Sequence, residues 1–216
     1  MSATMRSGGR IVGATLSALA LLTNAVFAAP PPRRAADPDW PCEQLLVPHL
    51  TAASYWSGPL DASGNWHDDP QVAALVAQIS PRRVTTGEGL AAIDGFAKSV
   101  TTDRAHRLAL LFRGLLDATN QARAGLIGEL KGIGRRQREL AALVARLRSQ
   151  LDTIPPGATG AAAAERADLQ QRHDFSARNF DEIQRTIRYA CETPVELDAR
   201  LGAWARALQK TAAPSP

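Results

Sequence analysis

Catalytic signatures are what this chain most plainly lacks. No Gly-x-Ser-x-Gly frame surrounds Ser57 or Ser63, no glycine-rich phosphate loop occurs, and His49, His67, His106 and His173 show neither His-x-x-x-His nor Glu-x-x-His spacing. The usual frames for nucleophilic hydrolysis, nucleotide binding and helix-borne metal sites are therefore missing. Aromatic residues are only 5% of the chain, too few to interleave with basic residues as single-strand nucleic-acid binders require, so no nucleic-acid partner is expected. Cysteine is confined to Cys42 and Cys191, and without a Cys-x-x-Cys pair there is no sign of a redox-active dithiol. Proline is absent from Thr102 to Ile154, so nothing there stops a helix.

That proline-free stretch carries a pattern. Leu108, Phe112, Leu115, Thr119, Ala122, Leu126, Leu130, Ile133, Gln137, Leu140, Val144, Leu147, Leu151 and Ile154 alternate in steps of four and three, with one extra four after Leu126. This is a heptad seam with a single stutter. A helix over 102–154 would run about 70 to 80 Å at 1.5 Å per residue. The cluster Pro155-Pro156-Gly157 breaks it, and a second long helix is predicted from Ala162 to Glu192. Its inner positions are Leu169, Phe175 or Ser176, Phe180 or Asn179, Ile183, Ile187 and Ala190. Acid-before-base pairs Asp168 with Arg172, Asp174 with Arg178, and Asp181 with Arg185 support this helix. Because the connection is short, the two helices should lie antiparallel as a coiled-coil hairpin.

Shorter helices flank the rod. Asp69-Pro70 reads as an N-cap with proline in the first turn, ahead of the Val72, Leu75, Val76, Ile79 stripe that Pro81 stops. Thr85-Thr86-Gly87-Glu88 and Thr193-Pro194-Val195-Glu196 both match a capping box. The second predicts a terminal helix with Leu197, Leu201, Trp204 and Leu208 on one face. Residues 43–66, broken by Pro48, Gly58, Pro59 and Gly64, read as turns wrapped over a helical surface.

Arg6 and Arg10 followed by the apolar stretch Ile11–Phe27 and a small-residue exit read as a secretory signal peptide, residues 1–28, cleaved after Ala28; an uncleaved anchor is the alternative. Taking those two arginines from 25 bases leaves 23 against 21 acids, so the mature chain is nearly neutral. Export to the periplasm would place Cys42 and Cys191 in an oxidising compartment, where one disulfide between them is expected.

Two polar clusters invite a functional reading. His67, Asp68 and Asp69 gather an imidazole and two carboxylates, but Asp69 already serves as a cap. Neither catalytic residues nor a metal or cofactor site is assigned there. Lys131, Arg135, Arg136, Arg138, Arg146 and Arg148 make the first long helix locally basic. That face would suit an anionic membrane surface or polymer; the alternative is a solvated face neutralised by acids of the facing helix.

Asp37-Pro38-Asp39-Trp40-Pro41-Cys42 after the signal, with Tyr189-Ala190-Cys191-Glu192-Thr193-Pro194-Val195 late in the chain, resembles a group of uncharacterised exported proteobacterial helical proteins. The resemblance implies export and paired cysteines and brings no established activity, so no functional residues are carried over. The expected protein is all-α: a long antiparallel coiled-coil helical hairpin with a small helical-bundle head and one disulfide. Its parts are a Pro-rich linker at 29–39 and a single helical domain at 40–210, with head 40–124 and 193–210 and stalk 125–192, then a disordered tail at 211–216. The function expected is a non-enzymatic interaction or scaffold module for a protein partner in the cell envelope. The alternatives are an accessory subunit of a periplasmic enzyme or transport complex, or an enzyme with a site near His67.

Overall fold

The computed structural model describes residues 37–212; the signal segment predicted at 1–28, the linker as far as residue 36 and residues 213–216 of the tail lie outside them. Among the described residues every regular element is helical. After two 3-10 turns come α1 (Pro70–Ile79), α2 (Thr86–Ser99), α3 (Arg104–Asp152), α4 (Ala161–Ala190) and α5 (Glu192–Ala212).

Local chemistry sets most of these boundaries. The Asp69 carboxylate accepts from the N–H groups of Gln71 and Val72 and starts α1 with Pro70 in its first turn. Thr85 and Glu88 exchange both bonds of the capping box at α2. Elsewhere the structure departs from the sequence reading. α3 begins two residues later than expected because Asp103 takes a left-handed backbone, φ 48°, which a right-handed helix cannot include. The box predicted at Thr193–Glu196 does not open α5. That helix starts at Glu192, with Cys191 alone separating it from α4, and Pro194 falls in the first turn, where no intrahelical N–H is required. The predicted disordered tail is also shortened. Thr211 and Ala212 remain helical, the Thr211 hydroxyl donating to Ala207 and Ala212 packing on the core.

The head core is made by α1, α2, α5 and the first half of α3. Val72, Ile79, Ile93, Leu108, Leu111, Phe112, Leu115, Leu201, Trp204 and Leu208 are almost completely buried. Each contributes about 1.5 to 3 kcal/mol by leaving water. Beyond this core, α3 and α4 continue as a hairpin. Leu130 packs with Ile187 and Cys191, and Leu147 and Leu151 pack with Leu169. Near the tip, Arg166 Nη1 donates to the carbonyls of Leu151 (2.8 Å) and Ile154 (2.5 Å). These pairings run in opposite directions along the two chains, so the arms are antiparallel. With 49 residues, α3 is about 74 Å long by helix rise.

Cys42 and Cys191 are disulfide-bonded, with Cα atoms 5.7 Å apart across 149 residues of sequence. The bond joins the N-terminal segment to the junction of α4 and α5.

Candidate interaction surface

α3 is the spine on which the irregular N-terminal segment is laid, and it holds that segment by side chains reading backbone. Arg113 donates to Ala62 O, and Asp117 accepts from the Trp66 indole. Asn120 pairs with Leu50 as another backbone would, accepting from its N–H at 2.8 Å and donating to its carbonyl at 3.0 Å. Arg123, buried, donates to Val47 O and Pro194 O and so ties the segment to α5. Burying a guanidinium costs heavily unless its N–H groups find acceptors, and here two carbonyls take the terminal N–H groups while Nε has no partner among the described residues.

The same strap continues onto the basic run. Lys131 pairs with Asp37 at 2.7 Å, and Asp39 accepts from Arg135 at 3.0 Å and from Arg138, which also donates to Pro38 O. Residues 37–39, predicted as linker, therefore form a docked turn rather than free chain. Gly134 makes the approach possible, since a β-carbon there would collide with the Asp39 carbonyl. The other stalk glycines do not serve this purpose: Gly125 and Gly128 face open space, and Gly132 meets only Arg135. The basic face is neutralised mainly by the strap, not by the facing helix as one reading had it. Arg148 pairs with Asp152, leaving Arg136 and Arg146 without ion pairs among the described residues.

The ammonium and guanidinium partners hold Asp37 and Asp39 below the ordinary carboxylate range, Lys131 for the first and Arg138 then Arg135 for the second. A carboxylate whose folded pKa is lowered contributes stability that is present above its unfolded value and lost as pH falls through the folded one. The strap should therefore stay docked from neutral pH to about pH 4 and loosen below it. Trp40 labelled with 5-fluorotryptophan and followed by fluorine NMR should shift in that acid window. Asp37→Asn/Asp39→Asn should remove the acid-dependent part of the shift. A Trp40 signal unchanged to pH 2 would refute the ionic docking.

The cluster suggested by sequence near His67 does not converge. The His67 ring stacks on Trp66, with centroids 3.5 Å apart. Asp69 is turned to the α1 N-terminus and to Arg107, 2.6 Å away, which together with the Val72 and Gln71 N–H groups holds it well below the usual carboxylate range. Among the described residues no three His, Cys, Asp or Glu side chains gather as a metal site. The sequence-expected pair Asp168–Arg172 forms at 3.7 Å, whereas Asp174 takes His173 and Gln170 as partners.

The two sides of the hairpin differ. On one, the strap crosses the neck and leaves an open cleft of about 570 Å³ bordered by Pro41, Gln44, Gln137, Gln184, Ile187 and Cys191. On the other, no described residue of the strap lies. A cleft of about 290 Å³ is lined by Ile133, Arg136, Asn179, Glu182, Ile183 and Thr186. Seven residues along α3 from Ile133 and Arg136 stand Leu140 and Leu143, both half-buried. Seven residues to either side of Glu182 on α4 stand Phe175 and Tyr189, 59% and 71% exposed. Heptad spacing places these groups on the same side of the hairpin. The sequence left Phe175 or Ser176 as the inner residue. Ser176 is the buried one, because the seam from Leu169 through His173 continues in steps of four and three, and that throws Phe175 outward.

No family model, curated protein or solved structure matches the chain. Among the described residues no helix is long and apolar enough to cross a membrane.

Proposed function

We propose that this protein is a non-enzymatic interaction or scaffold module of the cell envelope, exported by its N-terminal signal segment to the periplasm, with the α3–α4 hairpin as its docking surface. The observation that carries the reading is the strap-free side of the hairpin. There a two-helix layer leaves Phe175 exposed beside half-buried Leu140 and Leu143, with Tyr189 exposed two heptads nearer the neck, an arrangement that suits packing against further helices in a coiled coil. The polar groups of the head support the same reading, since Asp69, Arg113, Asn120, Arg123 and Arg200 are engaged in holding the chain together. The partner is a protein of the envelope, and Arg136 and Arg146 beside the strip would favour a surface that carries acidic groups.

The test has two arms. Osmotic-shock fractionation with intact-mass measurement should find the protein in the periplasmic extract starting at Ala29. A photo-crosslinking amino acid at Phe175 should yield protein adducts in cells, while the same probe at Arg83 in the head should not. Cytoplasmic retention would refute export, and adducts from Arg83 with none from Phe175 would refute the docking role of the hairpin.

A further inference from the structure

The strap-free strip has a complement in the chain itself, and we infer that two copies pair through it, hairpin against hairpin, antiparallel about a two-fold axis. The inference rests on the hairpin being a docking surface and adds its occupant. The two arms run level at Leu130 with Ile187 and at Leu151 with Arg166, which puts Phe175 level with Ala142 and Leu143. An axis at this level brings Leu143 and Phe175 of each copy together at the centre. It also carries Glu139 onto Arg146 of the second copy, and Arg146 onto its Glu139.

These charges are free to pair across the interface, since neither Glu139 nor Arg146 has an ion pair among the described residues of its own chain. Two like-signed approaches result, Asp168 with Glu182 of the second copy and Arg172 with its Arg178; within one chain Asp168 and Arg172 pair with each other at 3.7 Å, which offsets both. Arg136 stands in the same cleft as Glu182 and offsets it. The same axis brings the tip at Ile154 level with Lys131 of the other copy. That is short of the head core, whose α3 members end near Leu116 and Ala118, so the heads flank the tips.

The size is sufficient for a reversible dimer. The strip spans about 30 Å of helix across two helices each about 10 Å wide, on the order of 600 Å² per copy, at the low end of specific interfaces. Isologous pairing of this kind closes on itself and needs no other component.

The experiment is sedimentation velocity of the purified protein over about a hundredfold range of concentration, with helicity checked by circular dichroism. Wild type should pass from monomer to dimer. Phe175→Glu should weaken association by about a hundredfold or more, as for a central interface position, without loss of helicity; Leu143→Arg should weaken it too and, because Leu143 also packs on the Leu147, Leu151 and Leu169 cluster, counts only where circular dichroism shows the helices intact. Glu139→Arg should weaken it about tenfold, and the double swap Glu139→Arg/Arg146→Glu should restore it; Gln184→Arg, on the strap side, should leave it unchanged. A monomer at all concentrations, or a dimer indifferent to Phe175→Glu and Leu143→Arg, overturns self-pairing. A monomer that still crosslinks to another protein through Phe175 overturns it too, while leaving the docking role of the hairpin standing.

Discussion

Trp204→Ala should destabilise the protein by about 4 kcal/mol, in the upper range for removing a large buried aromatic and a large share of a typical domain's stability. Only 1% of Trp204 reaches solvent. Its indole N–H donates to Thr86 O at 3.1 Å, and the Arg200 guanidinium lies 4.7 Å from the ring centroid. The surroundings are poorly able to collapse into the vacated space. Gly89 lies flat against the indole, and a β-carbon there would stand 2.5 Å from it. Arg200 is tied to the carbonyls of Ser80, Pro81 and Val84 at 2.8 to 3.1 Å. The loss should appear in urea unfolding as a lower midpoint with an unchanged slope. A change below about 1.5 kcal/mol would mean that the head repacks freely around the cavity, against the account of a fixed α2–α5 contact.

What could be read from sequence was what depends on near neighbours. Asp69-Pro70 and Thr85–Glu88 declare their helices because a cap is completed within three residues, and the alternating threes and fours of α3 declare most of its seam, except between Leu116 and Leu130, where the fold buries Arg123 and Ile127 and leaves the expected Ala122 and Leu126 half-buried. The strap is a different kind of object. Asp39 meets Arg138 across 99 residues and Leu50 meets Asn120 across 70, and in the head Arg200 likewise meets Ser80 across 120. Nothing in local pattern separates such a charge from a solvated one, so Lys131, Arg135 and Arg138 read as an open basic face when they hold the strap. Arg123 and Arg200 carry the same lesson more strongly. Burial lowers the Arg200 pKa, and both guanidiniums are kept by carbonyls at chain breaks that only the fold creates. Phe175 was legible as one of two choices, and counting heptads back from Ile187 would have settled it in favour of Ser176.

Loss of the Cys42–Cys191 bond should cost about 3 kcal/mol and should loosen the molecule in a fixed order. Chain entropy alone sets an upper figure of about 5 kcal/mol for a loop of this length, and the bond spans 149 residues. The net effect is smaller because, without the bond, the folded state can relax by letting the strap open locally, against the attachments that remain. Lys131, Arg135 and Arg138 hold Asp37 and Asp39, the Trp40 indole donates to Gln44 O, and Gln44 donates to Cys191 O at 2.6 Å. Residues 37–47 should open first, uncovering Leu130 and Ile187, on which Trp40 and Cys42 pack. The distal cluster of Leu147, Leu151 and Leu169 has no contact with the bond and should be unaffected. Cys42→Ala/Cys191→Ala, compared with wild type by denaturant unfolding and by amide exchange, should show a lower midpoint and faster exchange at the neck with unchanged exchange near residues 147–151. Equal loss of protection along the whole hairpin would show instead that the bond stabilises α3 and α4 as one unit. Two free thiols in protein isolated without reductant would remove the clamp from the structure altogether, leaving the salt bridges and Gln44 to hold the strap alone.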